Sequence, residues 1–308
     1  MKETRLLLLM ISVCLVLATA VGAAAQEIAI SVDHASFCGH DLPQMRKQFA
    51  EIGLPTDYGG RHTAVTHMAL LGFGDGSYLE LIAPQDAQAR ISEDQKWRTA
   101  MLGDAGPCAW AVNVHDVKIE IERLSEVGLE GKGPLEGSRR KPDGTLLQWE
   151  TGMVGPGEPG SSLPFFIHDK TDRRQRVLPS ASLVGSDLQG VGIVVIGVSD
   201  LDAVVSRFRK AYGFRVPEIH DEPEFGARVA YFEGTPVMLA TPLGASGWLA
   251  ERLRKFGDKP AAYLLWTSNF RSSSAHFNLV SPMLLARKQV AWFSPSVLGG
   301  TRLGVIEK

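Results

Sequence analysis

A pattern that recurs along the chain limits its fold more than any other feature of the sequence. A β-strand pattern leads into an amphipathic helix, and further short apolar strands follow. Copies begin at about Glu27, Cys108 and Val191, and a degenerate copy without a clear helix begins at Ala261. Repeats of this kind build related modules that pack against one another. The pattern predicts an α+β fold of four βαβββ units, paired into two domains with curved mixed sheets.

Aspartates mark the predicted helix starts in the first three units. Asp41, Asp116 and Asp200 each stand directly before an amphipathic stretch. A side-chain oxygen at that position accepts hydrogen bonds from the free N–H groups of the first helical turn. The fourth unit offers a strand pattern over 276–280 after a Ser-rich loop. We therefore expect three regular helices and a fourth that is missing or very short.

The first unit contains the strongest turn signal. Apolar strands flank Asp75-Gly76, and an Asp-Gly pair between alternating hydrophobic residues favours a two-residue turn. Such a turn places Tyr78, Glu80 and His67 on one face of the sheet. Glu80 is then a carboxylate among apolar neighbours, where an unpaired charge is costly. His34, in the middle of the first strand, is its predicted partner.

Charge and composition exclude some classes of function. The chain has 32 Lys and Arg residues against 34 Asp and Glu residues, a net charge of −2 and no long basic block, so we expect no nucleic-acid partner. Hydrophobic residues make up 44% of the chain, enough to build a large core. The sequence contains no GxSxG, GxxxxGK or HExxH motif, which argues against serine hydrolases, P-loop enzymes and HExxH metalloproteases.

A polar segment separates the two predicted domains. Domains are predicted over 26–170 and 188–308, with a linker over 171–187. A short basic cluster lies in this linker, at Arg173, Arg174 and Arg176. We expect the cluster to be solvated, and an anion-binding site is the alternative.

The first 25 residues have the composition of an export signal. Basic residues precede an apolar run over 6–21, and small residues at 23–25 suit signal peptidase. We predict a signal peptide over 1–25, a secreted or periplasmic mature protein, and no stable membrane anchor after cleavage. Export permits a disulfide between Cys38 and Cys108, although two buried thiols are the favoured expectation for cysteines within strands.

The first unit resembles the glyoxalase-like domain of the vicinal oxygen chelate superfamily. The matching segments are Val32-Asp33-His34, Asp41-Leu42, Gly59-Gly60-Arg61-His62 and Asp75-Gly76-Ser77-Tyr78-Leu79-Glu80-Leu81-Ile82-Ala83-Pro84. The second unit is similar more loosely, through Pro142-Asp143-Gly144, Trp149 and Leu163-Pro164-Phe165-Phe166-Ile167. In that superfamily, paired modules hold a divalent metal between a His on a first strand and a Glu on a last strand. The resemblance implies that His34 and Glu80 are catalytic residues and metal ligands.

The other units depart from this pattern. Relative to the helix-opening aspartates, the position of His34 is taken by Ala109 and Ile193, and that of Glu80 by Phe166 and Met238. Only the first unit keeps both ligands. The sequence therefore lacks a four-ligand shell built from two modules.

Further residues extend the predicted site. His67, His62 and His168 each qualify as a third metal ligand, and spacing alone does not select among them. His67 is the candidate that shares the predicted face of the glutamate. Arg61 and His62 lie in a turn that approaches the cleft, and Tyr78 offers a hydroxyl, so we predict these three as substrate contacts.

Two functions are consistent with this pattern. In the first, a divalent metal (Zn, Fe, Mn, Ni or Mg) at His34 and Glu80 polarises the oxygens of a small organic substrate in a lyase, isomerase or dioxygenase reaction. In the second, a metal-free protein of the same fold binds or sequesters a small molecule, with the two side chains as a hydrogen-bonded pair. The partner is a small-molecule substrate or ligand in both cases, and a homodimer is compatible with both.

Overall fold

The computed structural model describes residues 27–86, 92 and 96–308. The strands of these residues form two eight-stranded sheets. The predicted signal peptide over 1–25 lies outside the described residues. None of the helices in the described ranges combines the length and the hydropathy that a bilayer crossing requires.

The first sheet contains two βαβββ units. Its elements in chain order are β1 (Val32–Cys38), α1 (Leu42–Glu51), β2 (Asp57–Arg61), β3 (Thr66–Gly72), β4 (Tyr78–Pro84), α2 (Arg98–Leu102), β5 (Gly106–Asn113), α3 (Val117–Glu126), β6 (Gly131–Arg140), β7 (Leu146–Val154) and β8 (Phe165–Asp169). The strand order is β2-β3-β4-β1-β5-β8-β7-β6. The edge strands β2 and β6 contact each other, so the sheet curls into a half-barrel whose two edges nearly meet.

A short helical segment leads to the second sheet. It contains α4 (Arg173–Arg176) and a 3₁₀ helix (Ala181–Leu183). The elements that follow are β9 (Leu188–Gly197), α5 (Leu201–Tyr212), β10 (Glu218–Glu222), β11 (Ala227–Tyr231), β12 (Val237–Pro242), α6 (Trp248–Phe256), β13 (Lys259–Thr267), α7 (Phe270–His276), β14 (Val280–Leu285), β15 (Lys288–Trp292) and β16 (Arg302–Glu307).

Both sheets follow one topology. The first strands of two paired units lie antiparallel at the centre, β1 beside β5 and β9 beside β13. Each of these strands pairs in parallel with the last strand of its own unit, namely β4, β8, β12 and β16. The α+β fold of four paired βαβββ units is therefore confirmed.

The predicted helix starts are correct. Asp41, Asp116 and Asp200 accept hydrogen bonds from backbone N–H groups of α1, α3 and α5. The fourth helix, α7, has only 7 residues, as expected for a short copy. The strand predicted over 276–280 is wrong, because Asn269 caps this helix and the helical turns run through the serines to His276.

A disulfide joins Cys38 of β1 to Cys108 of β5. The expectation of two buried thiols is therefore wrong. The two strands are neighbours at the centre of the sheet, and the Cα atoms lie 5.8 Å apart, within the range that a disulfide spans. The bond ties the first strands of the two units of the first sheet to each other.

The two sheets share one apolar core. Side chains of both halves form a single cluster, in which Trp110 of β5 stacks on Phe208 of α5 at 6.5 Å between ring centroids. The hydroxyl of Tyr263 in β13 lies 2.9 and 2.7 Å from the carbonyl oxygens of Ser36 and Ala109. The second half therefore supports the central strands of the first sheet directly.

Candidate functional site

The concave face of the first sheet encloses a cavity of about 660 Å³. The ionisable or polar side chains that line it include His34, His62, Tyr78, Glu80, Lys96, Arg139 and Arg176. The apolar side chains include Met68, Trp97, Trp149, Phe165 and Ile167. Its size and its mixed lining are those of a small-molecule site.

Strand pairing brings the predicted pair together. In the parallel pairing of β1 with β4, His34 lies opposite Tyr78 and Ser36 lies opposite Glu80. Alternate residues of a strand share a face, so all four side chains point to the cavity side of the sheet. Ser36 Oγ donates a hydrogen bond of 2.9 Å to Glu80 Oε2. Glu80 is only 5% exposed, so its oxygens face protein or the cavity.

The predicted register of the β3–β4 hairpin is wrong by one residue. Phe73 and Ser77 close a three-residue loop in which Gly76 has a φ of +87°, instead of a two-residue turn. Glu80 therefore pairs with Leu70, and His67 points to the opposite face of the sheet. His67 lies instead edge-on to Tyr58 at 6.1 Å between ring centroids. The structure does not bring His67 to His34 and Glu80.

Asp33 fixes the orientation of His34. The Asp33 Oδ1 and His34 Nδ1 atoms lie 2.7 Å apart. Burial raises the pKa of Asp33, but the charge of Arg176 and hydrogen bonds from His34 and Arg176 outweigh it and hold the pKa well below its usual range. Because an ionised carboxylate only accepts hydrogen bonds, Nδ1 carries the proton of this contact, and Nε2 is the ring nitrogen left for other partners. The ring also stacks on Tyr78 at 4.8 Å.

The basic cluster after the first sheet is not a solvated linker. Arg176 is 6% exposed and donates to both oxygens of Asp33 at 3.0 and 2.9 Å. It also donates to Asp169 at 2.8 Å and to the Tyr78 hydroxyl at 2.6 Å. Arg173 donates to Asp33 as well. The expectation fails because the buried carboxylate of Asp33 and the largely buried carboxylate of Asp169 require cations, whereas Arg174 is exposed as predicted.

The substrate contacts predicted from the sequence are only partly brought together. Tyr78 and His62 line the cavity, whereas Arg61 is exposed on β2, opposite His67. Burial lowers the pKa of His62 more than the charge of Glu80 raises it, so its imidazole is neutral at neutral pH. His168 points away from the cavity lining, with Nδ1 3.1 Å from the Val114 carbonyl oxygen.

Sequence reasoning missed Arg139, Arg176 and Ser36. Arg139 lies on β6, a mostly exposed strand without clear alternation, so no periodic signal marked it. Ser36 had a usable signal, because it lies two residues after His34 on the same strand. Arg176 was visible only as part of the basic cluster, and its burial depends on carboxylates distant in the sequence.

The described side chains do not fit the divalent metal that the resemblance implies. Among the described residues, no group of three or more His, Cys, Asp and Glu side chains is arranged to hold a metal ion. His34 and Glu80 supply two donors, fewer than the three protein ligands usual for a catalytic zinc. His67 lies on the other face of the sheet. His62, another candidate third ligand, does line the cavity, but among the described residues it forms no metal-binding group with His34 and Glu80.

The other units do not repeat the site. By strand pairing, Phe165 takes the position of Glu80 in the second unit. The prediction of Phe166 for this position is therefore wrong. Met238 takes that place in the third unit as expected, and both Met238 and Ile193 lie buried in an apolar cluster of the second sheet. The second sheet therefore supports the site and does not duplicate it.

Comparisons with known proteins agree on the fold. Residues 32–193, just over half of the chain, match the family described as a glyoxalase-like domain. No curated protein matches the chain. A hypothetical protein from Staphylococcus aureus superposes with a TM-score of 0.59 at 14% identity, covering 91% of this chain and 100% of the other. A triple mutant of 4-hydroxymandelate synthase from Streptomyces coelicolor gives 0.57 at 13% identity, covering 92% of this chain and 93% of that one. Identities this low establish the shared fold.

Proposed function

The chain belongs to the glyoxalase-like domain family, and we propose that it binds a small oxygenated organic molecule in the cavity of the first sheet and catalyses proton transfer on it. The observation that carries this proposal is the convergence of Glu80 and His34 on one cavity. Glu80 is buried and oriented by Ser36, and His34 is oriented by the ionised Asp33. The reaction class is an isomerase or lyase that works through an enolate.

Each of the two side chains suits one proton-transfer role. The Glu80 carboxylate removes a proton from a carbon next to a carbonyl, and the electron pair of the broken C–H bond passes to the carbonyl oxygen. The same carboxylic acid then returns the proton, to the original or to a neighbouring carbon. His34 accepts a substrate hydroxyl proton at Nε2, and the ionised Asp33 stabilises the imidazolium that forms. Tyr78 accepts a hydrogen bond from Arg176, and its own proton remains available to the substrate.

Solvent exchange tests this proposal across a panel of candidate substrates. The mature protein is incubated in D₂O with small 2-oxo and 2-hydroxy carbonyl compounds, and C–H exchange is followed by proton NMR. We expect exchange with at least one compound and a loss of roughly 10²–10⁴-fold in Glu80→Gln. Glu136→Gln is the matched control, because Glu136 is an exposed carboxylate at the same cavity.

The same assay addresses the metal. Exchange that persists after chelation supports proton transfer by side chains alone, whereas exchange restored only by an added divalent ion supports the metal-assisted reaction. Exchange that is unchanged in both Glu80→Gln and His34→Gln contradicts the proposal.

A metal-free binding protein is the second candidate function. The observation that favours it is the incomplete donor set around His34 and Glu80. This function requires tight binding of a small molecule without chemical change. Mass spectrometry of ligand released from purified protein, combined with the absence of exchange on that ligand, separates it from the enzyme.

We also propose that the mature protein works outside the cytoplasm. The predicted signal peptide supports this location, and so does the disulfide between Cys38 and Cys108, since structural disulfides persist in oxidising compartments. Cell fractionation with detection of the processed chain tests it. Full-length protein retained in the cytoplasm with both thiols free contradicts it.

A further inference from the structure

Arg139 is a buried cation at the seam of the half-barrel. It lies near the end of β6 and is 6% exposed. Its Nη1 donates a hydrogen bond of 2.7 Å to the carbonyl oxygen of Gly59 on β2, so the side chain bridges the two edge strands of the sheet. It also lines the cavity that holds Glu80 and His34.

No carboxylate of the described residues lies within ion-pair distance of Arg139, in contrast to its neighbours. Arg176 and Arg173 are both paired with Asp33 and Asp169. A guanidinium carries five N–H donors, and the bond to Gly59 uses one of them. Burial lowers the pKa of Arg139, and the nearby Tyr78 and Glu80 oppose this shift. A buried guanidinium beside a cavity, whose other N–H donors bond no described residue, is suited to receive an anion.

Arg139 and Glu80 line the same cavity without forming an ion pair with each other. They interact electrostatically, yet they are not among the ion pairs that the described residues form within 4.0 Å. A molecule in the cavity can therefore place an anionic oxygen on Arg139 while a neighbouring carbon faces Glu80. The apolar wall formed by Trp149 and Phe165 accommodates the carbon skeleton.

We infer that Arg139 anchors the carboxylate of the ligand, and that the protein acts on small carboxylic acids. This inference rests on the proposed function and narrows its substrate class. A carboxylate fits a single guanidinium fork, whereas a phosphate dianion favours additional cations or several backbone N–H groups. Arg176 does not serve as that second cation, because Asp33 and Asp169 already neutralise it.

Matched neutral and charged probes test the anchor. Phenylacetate and phenylacetamide have the same carbon skeleton and differ in charge, and calorimetry measures the affinity of the disulfide-bonded mature protein for each. We expect the wild type to bind the acid at least about tenfold more tightly than the amide. Arg139→Met is expected to reduce this preference to less than about twofold.

Arg140→Met is the matched control. Arg140 is the next residue of the same strand, it is exposed, and it donates to the Gly144 carbonyl oxygen outside the cavity. This variant is expected to keep the full preference for the acid. Arg139→Lys keeps the positive charge but lacks the forked guanidinium, and we expect it to keep part of the preference for the acid. This variant therefore separates loss of the anchor from loss of folding.

The outcomes separate this inference from the proposed function. Equal affinity of the wild type for acid and amide, including no measurable binding of either, overturns the anchor. A preference that survives in Arg139→Met overturns it as well, and so does tighter binding of phenyl phosphate than of phenylacetate. An acid preference that depends on Arg139, in a protein that exchanges no C–H proton, supports the anchor while the catalytic proposal fails.

Discussion

Removal of Arg176 is expected to destabilise the protein strongly. Arg176 binds both oxygens of Asp33, which is 1% exposed, and also contacts Asp169 and Tyr78. Loss of one partner of a buried ion pair typically costs about 3–5 kcal/mol. Arg173 still reaches Asp33 in Arg176→Met, so we expect the lower end, about 3 kcal/mol. At about 2–4 °C per kcal/mol, the melting temperature falls by about 6–12 °C.

The dependence of this loss on pH has a definite sign. The pKa of Asp33 is lowered in the folded wild type, so the carboxylate stabilises the fold above about pH 4 and this contribution is lost as the pH falls further. In Arg176→Met, burial opposes the charged form with less compensation, so the folded-state pKa rises. The gap in stability between wild type and variant therefore narrows on acidification through pH 4.

Thermal and urea unfolding, followed by circular dichroism, measure these differences. Arg174→Met is the matched control, because Arg174 is exposed on the same short helix, and we expect its stability to stay within about 0.5 kcal/mol of wild type. The double variant Asp33→Asn with Arg176→Met also removes the buried carboxylate that has lost its Arg176 partner. We expect this double variant to regain part of the stability that Arg176→Met loses. Stability of Arg176→Met within about 1 kcal/mol of wild type at neutral pH would refute the reasoning.

Three further predictions concern single contacts. Replacement of Cys38 and Cys108 by Ser opens a disulfide with a sequence separation of 70, which is expected to lower the free energy of unfolding by about 4 kcal/mol in urea titrations; no change in the urea midpoint contradicts this. Tyr263→Phe removes the hydroxyl donor from the Ser36 carbonyl oxygen, and calorimetry should show a loss of about 1–3 kcal/mol. The lowered pKa of His62 means that below about pH 6.5 the unfolded chain binds a proton that the folded chain does not. Stability therefore falls on acidification through this range, and His62→Gln should flatten that slope in melting experiments.

Local signals were sufficient to predict the repeats. Asp41, Asp116 and Asp200 act within three residues of their own positions, since they cap the helices that follow them. The apolar strands were predicted from the alternation of apolar and polar side chains among neighbouring residues. Strand β6 escaped prediction because most of its side chains are exposed, so its pairing with β7 decides its conformation.

The site was predictable in part, because local signals in the sequence identified two of its residues. His34 and Glu80 were found because each is a polar residue in an apolar strand, and the structure places both on one cavity. His67 was misplaced because a hairpin loop longer by one residue reverses the faces of a strand. Asp-Gly alone does not distinguish a two-residue turn from a three-residue loop with glycine in the left-handed region.

The sequence by itself determined the βαβββ repeats, the helix starts and the one unit that kept an imidazole and a carboxylate. Only the tertiary structure decided which distant groups surround that pair. Arg176 reaches Asp33 across 143 residues of sequence, and Arg139 reaches Gly59 across 80. Capping and alternation depend on covalent neighbours, whereas the partner of a buried charge is chosen by the packing of strands that come together only when the sheet closes.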